Sequence, residues 1–289
     1  MAILTGPKTR VIVQGITGNV GSGFARRLAA SGSTVVGGVT PGRGGREVDG
    51  LPVFDSCHEA VAATGADTSF MCVPAPFAFD ACHEAVDAGI KLVVLYIENI
   101  PFLDALRMTA YARTRGTVVL GPNSAGCVTP GGVNLSELDP KFLLKGNIGV
   151  VAKSGAMCAE SANYLREEGL GVTTIVSIGG DPVLGAYHCD ILERFEADPE
   201  TKGVVMVGEI GGRSEYDAAP FVKTMTKPVV AVIIGGSAPA DRQMGHLGAR
   251  LGAEEENAPA KRAVLAAAGA HLGDNVTEVG RLMRRALGG

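Results

Sequence analysis

The sequence lacks the features that define several classes of protein. It has no tryptophan, and aromatic residues make up only 5% of its 289 positions. No apolar run reaches the roughly 18 residues of a membrane-spanning helix without charge or repeated glycine. The first residues carry no charged segment followed by a long apolar one, so we expect no secretory signal. With 26 basic and 30 acidic residues and no basic stripe, the chain has little electrostatic basis for binding nucleic acid.

Cysteine and histidine are spaced unlike disulfide or metal-binding frameworks. None of the six cysteines forms a C-x-x-C pair, and no two of the five histidines are four residues apart. We therefore expect buried or free thiols in a reducing, cytoplasmic compartment, and no metal site.

Glycine and apolar residues are abundant instead. Glycine fills 41 positions, about twice its usual share, without the triplet period of collagen. Apolar residues account for 46% of the chain and charged residues for 19%, which excludes a disordered protein and allows a large core. The length fits about two domains.

Short β-branched runs alternate with longer helical patterns in two blocks. Strands of the first block are expected at residues 10–14, 33–37, 68–73, 91–96 and 118–121. Strands of the second block are expected at residues 148–151, 172–178, 203–207 and 228–234, with one of the helices at 183–196. This alternation predicts right-handed βαβ units and a doubly wound, parallel α/β fold. Because turn signals concentrate between the blocks, we place a linker at 123–146, between domains at 1–122 and 147–289.

A glycine-rich segment, Gly15-Ile16-Thr17-Gly18-Asn19-Val20-Gly21, follows the first expected strand and opens a helix. Its G-x-x-G-x-x-G spacing is a variant of the dinucleotide-binding fingerprint, in which a helix N-terminus receives a pyrophosphate. No acidic residue follows the second strand to hold a ribose hydroxyl, and Arg43 and Arg46 lie in a glycine-rich loop there. Guanidinium groups suit a phosphorylated ribose, as in NADP or coenzyme A. A plain strand–helix turn and a solvated loop remain alternatives.

Polar or proline-containing segments also follow four other strands, where open α/β sheets bind ligands. They are Cys72 to Phe77, Tyr96 to Pro101, Lys153-Ser154-Gly155, and Glu209 before a glycine-rich turn. The Ser-Gly helix entry offers unpaired N–H groups to an anion, although an ordinary serine N-cap has the same sequence.

A single histidine, His246, lies between Gly245 and Gly248 beyond the last strand of the second block. Small neighbours leave the imidazole accessible, as a nucleophile requires. Taken alone, a loop histidine is more often a surface residue.

These segments occur in an order that resembles the α subunit of succinate–CoA ligase (succinyl-CoA synthetase), and the resemblance covers nearly the whole chain. Segments in the form typical of that family are Gly-Gly-Val-Thr-Pro-Gly (37–42), Val-Pro-Ala-Pro-Phe (73–77), Gly-Pro-Asn (121–123), Ile-Gly-Gly-Asp-Pro (178–182), Gly-Glu-Ile-Gly-Gly (208–212) and Met-Gly-His-x-Gly-Ala (244–249).

The resemblance implies an N-terminal Rossmann-like CoA-binding domain and a flavodoxin-like, doubly wound ligase domain. It implies a ligase that converts a dicarboxylic acid, CoA and a nucleoside triphosphate into acyl-CoA, nucleoside diphosphate and phosphate through a phosphohistidine. It also implies a β subunit, in a heterodimer or heterotetramer, that binds ATP or GTP with Mg²⁺.

Particular residues acquire roles from the same resemblance. His246 matches the phosphorylated histidine, Glu209 the acid that supports it, and Ser154 and Gly155 the helix start that holds phosphate. The positions that match CoA-binding residues are Thr17, Gly18, Asn19, Val20, Arg43, Pro74, Tyr96, Ile97 and Glu98. The positions expected to contact the acid substrate are Asn123 and Ala159.

The chain departs from the family pattern near the expected substrate site. Ala156 and Ala159 stand where the family usually has threonine and tyrosine, and the stretch 250–259, with three consecutive glutamates, replaces a glycine-rich one. We expect succinate as the substrate, with malate, citrate or another dicarboxylate as alternatives. A non-catalytic CoA-binding module and an NADP-dependent oxidoreductase are the other hypotheses.

Overall fold

The structure, a computed structural model, describes residues 3–239, 242–251 and 253–289, and it folds them into two sheets with helices on their faces. The predicted domains also include Met1, Ala2, Ala240, Asp241 and Gly252, which lie outside the described residues.

The first sheet contains seven strands, and four helices accompany it. Its strands are β1 (Arg10–Gln14), β2 (Thr34–Val39), β3 (Glu47–Val48), β4 (Leu51–Phe54), β5 (Thr68–Met71), β6 (Leu92–Leu95) and β7 (Val118–Leu120). The helices are α1 (Asn19–Ala30), α2 (Cys57–Thr64), α3 (Ala78–Asp87) and α4 (Phe102–Thr114). The strand order is β3-β4-β2-β1-β5-β6-β7, and every pair is parallel except β3–β4. The order reverses at β1, so the loop after β1 lies at a topological switch point.

The second sheet also contains seven strands, in the order β14-β13-β12-β10-β11-β8-β9. Its strands are β8 (Gly126–Val128), β9 (Asn134–Ser136), β10 (Lys145–Ala152), β11 (Val172–Ser177), β12 (Gly203–Glu209), β13 (Val229–Ile234) and β14 (His271–Leu272). The helices are α5 (Gly155–Glu167), α6 (His188–Ala197), α7 (Ser214–Val222), α8 (Ala258–Ala267) and α9 (Val279–Ala286). Strands β10 to β14 pair in parallel, whereas β8 and β9 pair antiparallel. The order reverses at β10, which places the start of α5 at a second switch point.

The two sheets confirm the predicted α/β fold. All nine expected strands are present, with ends within a few residues of the expected ones. Five short strands, β3, β4, β8, β9 and β14, were not predicted, because two to four residues are too few to show a periodic pattern. Two of these, β8 and β9, lie in the segment 123–146 and join the second sheet. The proposed division at this segment stays a prediction.

One expected helix begins later than the sequence indicates. Helix α6 starts at His188, not at Val183, and the residues before it form a loop. Gly179 has a positive φ of 102°, and Pro182 follows shortly after, so the backbone resists helix formation there. This loop carries Asp181 to the carboxyl end of the sheet.

The segment 121–124 connects the two sheets. Gly121 donates its N–H to Ile178 at 3.1 Å, and the Ser124 hydroxyl donates to the Ser177 carbonyl at 2.6 Å. Asn123 donates its N–H back to the carbonyl of Ile97, which follows β6 of the first sheet, at 2.7 Å. These bonds hold the carboxyl ends of strands from both sheets around a common cleft. In the described ranges, no helix combines the length and apolar character required to cross a membrane.

Candidate functional site

His246 lies in the loop after β13, and its ring lies at the carboxyl ends of β12 and β11, the strands on either side of β10. Its Nδ1 is 2.7 Å from Oε2 of Glu209, the last residue of β12. The ring rests on Gly180, in the loop after β11, where an added Cβ would lie only 2.3 Å from the imidazole Cγ. The side chain is 24% exposed, so the imidazole is held in place and still reaches the cleft.

The carboxylate of Glu209 sets the protonation chemistry of His246. The hydrogen bond to Glu209 raises the pKa of His246, although burial opposes that shift. With Nδ1 engaged, the neutral ring carries its proton there and presents the Nε2 lone pair. No hydrogen bond is formed at Nε2 among the described residues, so this nitrogen is available as a nucleophile.

A cavity of about 490 Å³ opens beside His246, and its walls come from both sheets. It is lined by Val20, Cys72, Tyr96, Ile97, Glu98, Asn123, Ser124, Ala125, Glu137, Ser154, Gly155, Ala156 and His246. The structure thus brings together eight of the predicted site residues, namely Val20, Tyr96, Ile97, Glu98, Asn123, Ser154, Gly155 and His246. We call this space the reaction cavity.

The N-terminus of α5 points into the reaction cavity. Ser154 is its N-cap, with a hydroxyl that accepts the Met157 N–H at 3.5 Å. The N–H groups of the first helical turn have no partner within the helix, and the helix dipole makes this end positive. An anion beside Gly155 and Ala156 would therefore be stabilised within reach of His246.

A second, mainly apolar cavity of about 620 Å³ lies beside the start of the glycine-rich loop after β1. Its lining includes Gly15, Thr40, Val73, Pro74 and Phe77. An apolar slot next to a helix N-terminus fits a ligand with a flat ring and phosphates, such as an adenine nucleotide. We call this space the loop cavity.

The glycine-rich loop itself is tightly built. Thr17 donates its hydroxyl to the Thr40 hydroxyl at 3.2 Å, Gly18 is the N-cap of α1, and Asn19 begins the helix. A Cβ on Gly21 would lie 2.2 Å from the Gly15 carbonyl oxygen, so only glycine fits there.

Six predicted site residues line neither cavity, namely Thr17, Gly18, Asn19, Arg43, Ala159 and Glu209. Arg43 is exposed in the loop after β2, and Ala159 lies half-buried one turn into α5. Their predicted roles stay predictions. The described residues hold no group of three or more histidine, cysteine or acidic side chains placed to bind a metal ion.

Three further groups around the cleft, Asp181, Glu137 and Cys72, were not among the predicted site residues. Burial raises the pKa of Asp181, one of whose oxygens, Oδ1, has no hydrogen-bond partner among the described residues. Glu137 projects into the reaction cavity, and its carboxylate adds to the burial that raises the pKa of Tyr96. Burial also raises the pKa of Cys72 to about 12, so this cavity residue remains a thiol. Asp181 could have been predicted from the Gly-Gly-Asp-Pro segment that contains it, whereas no sequence motif pointed to Glu137.

Comparisons with known proteins find relatives over nearly the whole chain. A family profile described as a CoA binding domain matches residues 7–99, and one described as CoA-ligase matches residues 151–271. The chain is 47% identical to succinate–CoA ligase [ADP-forming] subunit alpha 1 of Archaeoglobus fulgidus over 287 residues, 99% of each chain. It is 44% identical to malate–CoA ligase subunit alpha of Methylorubrum extorquens over 270 residues, 92% of this chain and 91% of the relative.

A solved structure shares the fold of nearly this whole chain. ATP citrate lyase from Methanothrix soehngenii, in complex with citrate and coenzyme A, superposes with a TM-score of 0.90 at 27% identity. The match covers 99% of this chain and 50% of that one, so the chain spans about half the length of that relative.

Proposed function

This chain belongs to the family of succinate–CoA ligase α subunits, and on that premise we propose that it is the α subunit of an acid–CoA ligase that forms a nucleoside diphosphate. The reaction joins a carboxylic acid to the thiol of CoA and converts a nucleoside triphosphate into the diphosphate and phosphate. The observation that carries the proposal is the 2.7 Å pair of His246 and Glu209, with His246 lining the same cavity as the N-terminus of α5.

His246 carries the phosphoryl group in this proposal. Its Nε2 attacks the γ-phosphorus of the nucleoside triphosphate, and the bond to the diphosphate breaks. A carboxylate oxygen of the acid then takes the phosphoryl group and frees the imidazole, which leaves an acyl phosphate. Attack of the CoA thiol on the acyl carbon forms the thioester and releases phosphate. Phosphoryl transfer depends mainly on positioning and charge stabilisation, which Ser154, Gly155 and the α5 N-terminus supply.

Coenzyme A fits the space between the two cavities. The loop cavity offers apolar walls for an adenine, and the α1 N-terminus at Gly18 and Asn19 faces the phosphates. The strand end at Tyr96 to Glu98 lines the reaction cavity, where the thiol has to arrive. Arg43 lies on an exposed loop on the same side and is proposed to pair with the ribose phosphate.

The nucleotide site is assigned to a β subunit. The chain matches an α subunit over its full length, whereas it covers only half of the longer citrate lyase chain. We therefore assign ATP or GTP, with its Mg²⁺, to a separate partner in a heterodimer or heterotetramer. All six cysteines are free thiols, which accords with the proposed cytoplasmic location.

The acid is proposed to be succinate, with malate as the second candidate. Malate is favoured by one observation: the chain is 44% identical to a malate–CoA ligase α subunit. Ala156 lines the reaction cavity and leaves room at the helix start for a substituted dicarboxylate. The NADP hypothesis loses its support, because the profiles that match describe CoA binding and CoA ligation.

The test is phosphate labelling of the α chain in the αβ complex. With ATP and Mg²⁺, the wild-type α chain should acquire an acid-labile phosphate, and His246→Ala should acquire none. His58→Ala, which removes an exposed histidine of α2, is the matched control and should label normally. Equal labelling of His246→Ala and the wild type would exclude the mechanism. CoA binding without labelling of any variant would favour the non-catalytic module. Diphosphate release with succinate and with malate then identifies the acid.

A further inference from the structure

A cluster of buried charges lies beneath the Glu209–His246 pair. Lys261 of α8 and Glu215 of α7 both have 0% exposure, and Lys153, which follows β10, is also buried. We call these three residues the buried charge cluster. None of them needs to touch the phosphoryl group in the reaction described above, so their role must be sought in their contacts.

Lys261 uses its full hydrogen-bonding capacity on the turn that follows β12. A lysine ammonium has three donors. They are directed to the carbonyl of Glu209 at 2.8 Å, the carbonyl of Gly211 at 2.7 Å and Oε2 of Glu215 at 2.6 Å. A single side chain of α8 therefore holds the backbone on both sides of Ile210.

Glu215 holds the same turn through its other oxygen. Its Oε1 accepts the backbone N–H of Glu209 at 3.1 Å. Burial works against ionisation of Glu215, but nearby positive charge, chiefly that of Lys153, outweighs it and lowers the pKa to about 2. Lys261 and the Glu215 anion together thus bind the N–H and the C=O of Glu209.

The side chain of Glu209 makes one short hydrogen bond, and that bond is to His246. Oε2 is bonded to His246, whereas Oε1 is buried and has no hydrogen-bond donor among the described residues. The ammonium of Lys153 is 3.7 Å from Oε1, beyond hydrogen-bond distance but close enough for charge attraction. The carboxylate is therefore held against the imidazole and not drawn to another donor.

Stability alone is a weak reason for such a cluster. Desolvation of buried ions offsets much of their mutual attraction, and well-packed apolar residues often replace a buried ion pair without loss of stability. The specific arrangement around Glu209 points to a geometric role.

We propose that Lys261 is a positioning residue for phosphoryl transfer: together with Glu215 it fixes Glu209 so that the carboxylate holds Nδ1 of His246 and directs Nε2 into the cleft. The proposal rests on the proposed function, in which His246 carries the phosphoryl group. It adds a residue on α8, 52 positions after Glu209, that acts on the imidazole only through Glu209.

The test compares two lysines in the αβ complex that each donate three hydrogen bonds, the buried Lys261 and the half-buried Lys227. Lys261→Met keeps an unbranched side chain only one atom shorter and removes the charge and the donors. The matched control is Lys227→Met, because the ammonium of Lys227 also donates to three carbonyls, those of residues 195, 196 and 198, at the opposite edge of the sheet. We expect Lys261→Met to slow labelling of His246 roughly 10- to 100-fold, as a shift of about 1 Å does in other active sites. Lys227→Met should stay near the wild-type rate, and Lys261→Arg should recover part of the loss.

A double-mutant cycle separates positioning from general damage. In a Glu209→Gln background, Lys261→Met should change the labelling rate by less than about twofold, because its target is already altered. A similar loss in both backgrounds, or a loss in Lys227→Met equal to that in Lys261→Met, would overturn the proposal. If Lys261→Met does not fold, as judged by circular dichroism, Glu215→Gln takes its place with the same expectations.

An NMR titration of His246 in the full α chain needs no activity. Glu209, Asp181 and Lys153 are the charged groups that act on this ring from the neighbouring elements. We expect the pKa of His246 to fall towards its ordinary value in Lys261→Met and to stay raised in Lys227→Met. An unchanged pKa in folded Lys261→Met would refute the positioning role even if wild-type labelling succeeds. Failure of wild-type labelling would refute only the proposed function.

Discussion

The substitution Gly180→Ala should disable His246 without touching it chemically. A Cβ on Gly180 would lie 2.3 Å from the imidazole Cγ and 2.5 Å from Cδ2 and Nδ1. Since carbon atoms pack no closer than about 3.5 Å, the ring has to retreat by roughly 1.2 Å. Gly180 does not have a positive φ, so the backbone itself accepts alanine without strain. The clash is with a side chain on a partly exposed loop, which is the part that will move.

A shift of this size is large compared with the tolerance of the site. The bond from His246 Nδ1 to Glu209 is 2.7 Å long, and such bonds weaken beyond about 3.2 Å. A misplacement of about 1 Å at a reacting group lowers rates by roughly 100-fold, equivalent to about 2.7 kcal/mol of transition-state stabilisation. We therefore expect Gly180→Ala to be labelled by ATP about 100 times more slowly, with a melting temperature close to that of the wild type.

The assay is rapid-quench labelling of the αβ complex with radiolabelled ATP. Gly236→Ala provides the control, because a Cβ there meets only the Ala258 methyl group, at a comfortable 3.9 Å. Labelling of Gly180→Ala within twofold of the control would show that His246 does not need its close contact with Gly180. The argument that phosphoryl transfer depends on the position of this ring would then be refuted.

Two further predictions concern pH and CoA. Because Glu209 raises the pKa of His246 against burial, the labelling rate should fall on the acid side of the pH profile with a midpoint above the ordinary histidine value of 6.5. Glu209→Gln should move this midpoint below 6.5 in a pH series. By the same linkage the raised pKa stabilises the fold below pH 6.5, and this contribution is lost as the pH rises through the folded-state pKa. Gly21→Ala places a Cβ 2.2 Å from the Gly15 carbonyl oxygen, and it should weaken CoA binding at least about tenfold, as measured by calorimetry. Gly23→Ala, in the same helix but with open space around the added Cβ, should bind CoA normally. Equal affinities of the two variants would contradict the role given to the loop.

Local sequence patterns were enough to predict most of the strands and to indicate which strands are followed by candidate site residues. The alternation of β-branched runs and helical segments depends on nearest neighbours along the chain, so it reveals the strands that lead to Gly15, Ser154 and Glu209. The glycines close to His246 in the sequence likewise predict that its imidazole is accessible. The start of α6 was misplaced, since the turn before it depends on a glycine with positive φ that the helical pattern does not reveal.

The sequence by itself determined the residue types, their order along the chain and the family resemblance that assigns them chemistry. Only the tertiary structure decided which of them meet. Lys261 and Glu215 lie 46 positions apart, and Glu209 and His246 lie 37 apart, yet each pair forms a close contact. The physical reason is that parallel strands bring their carboxyl ends to one edge, whereas the hydrogen bonds made there depend on side-chain directions that no local pattern specifies.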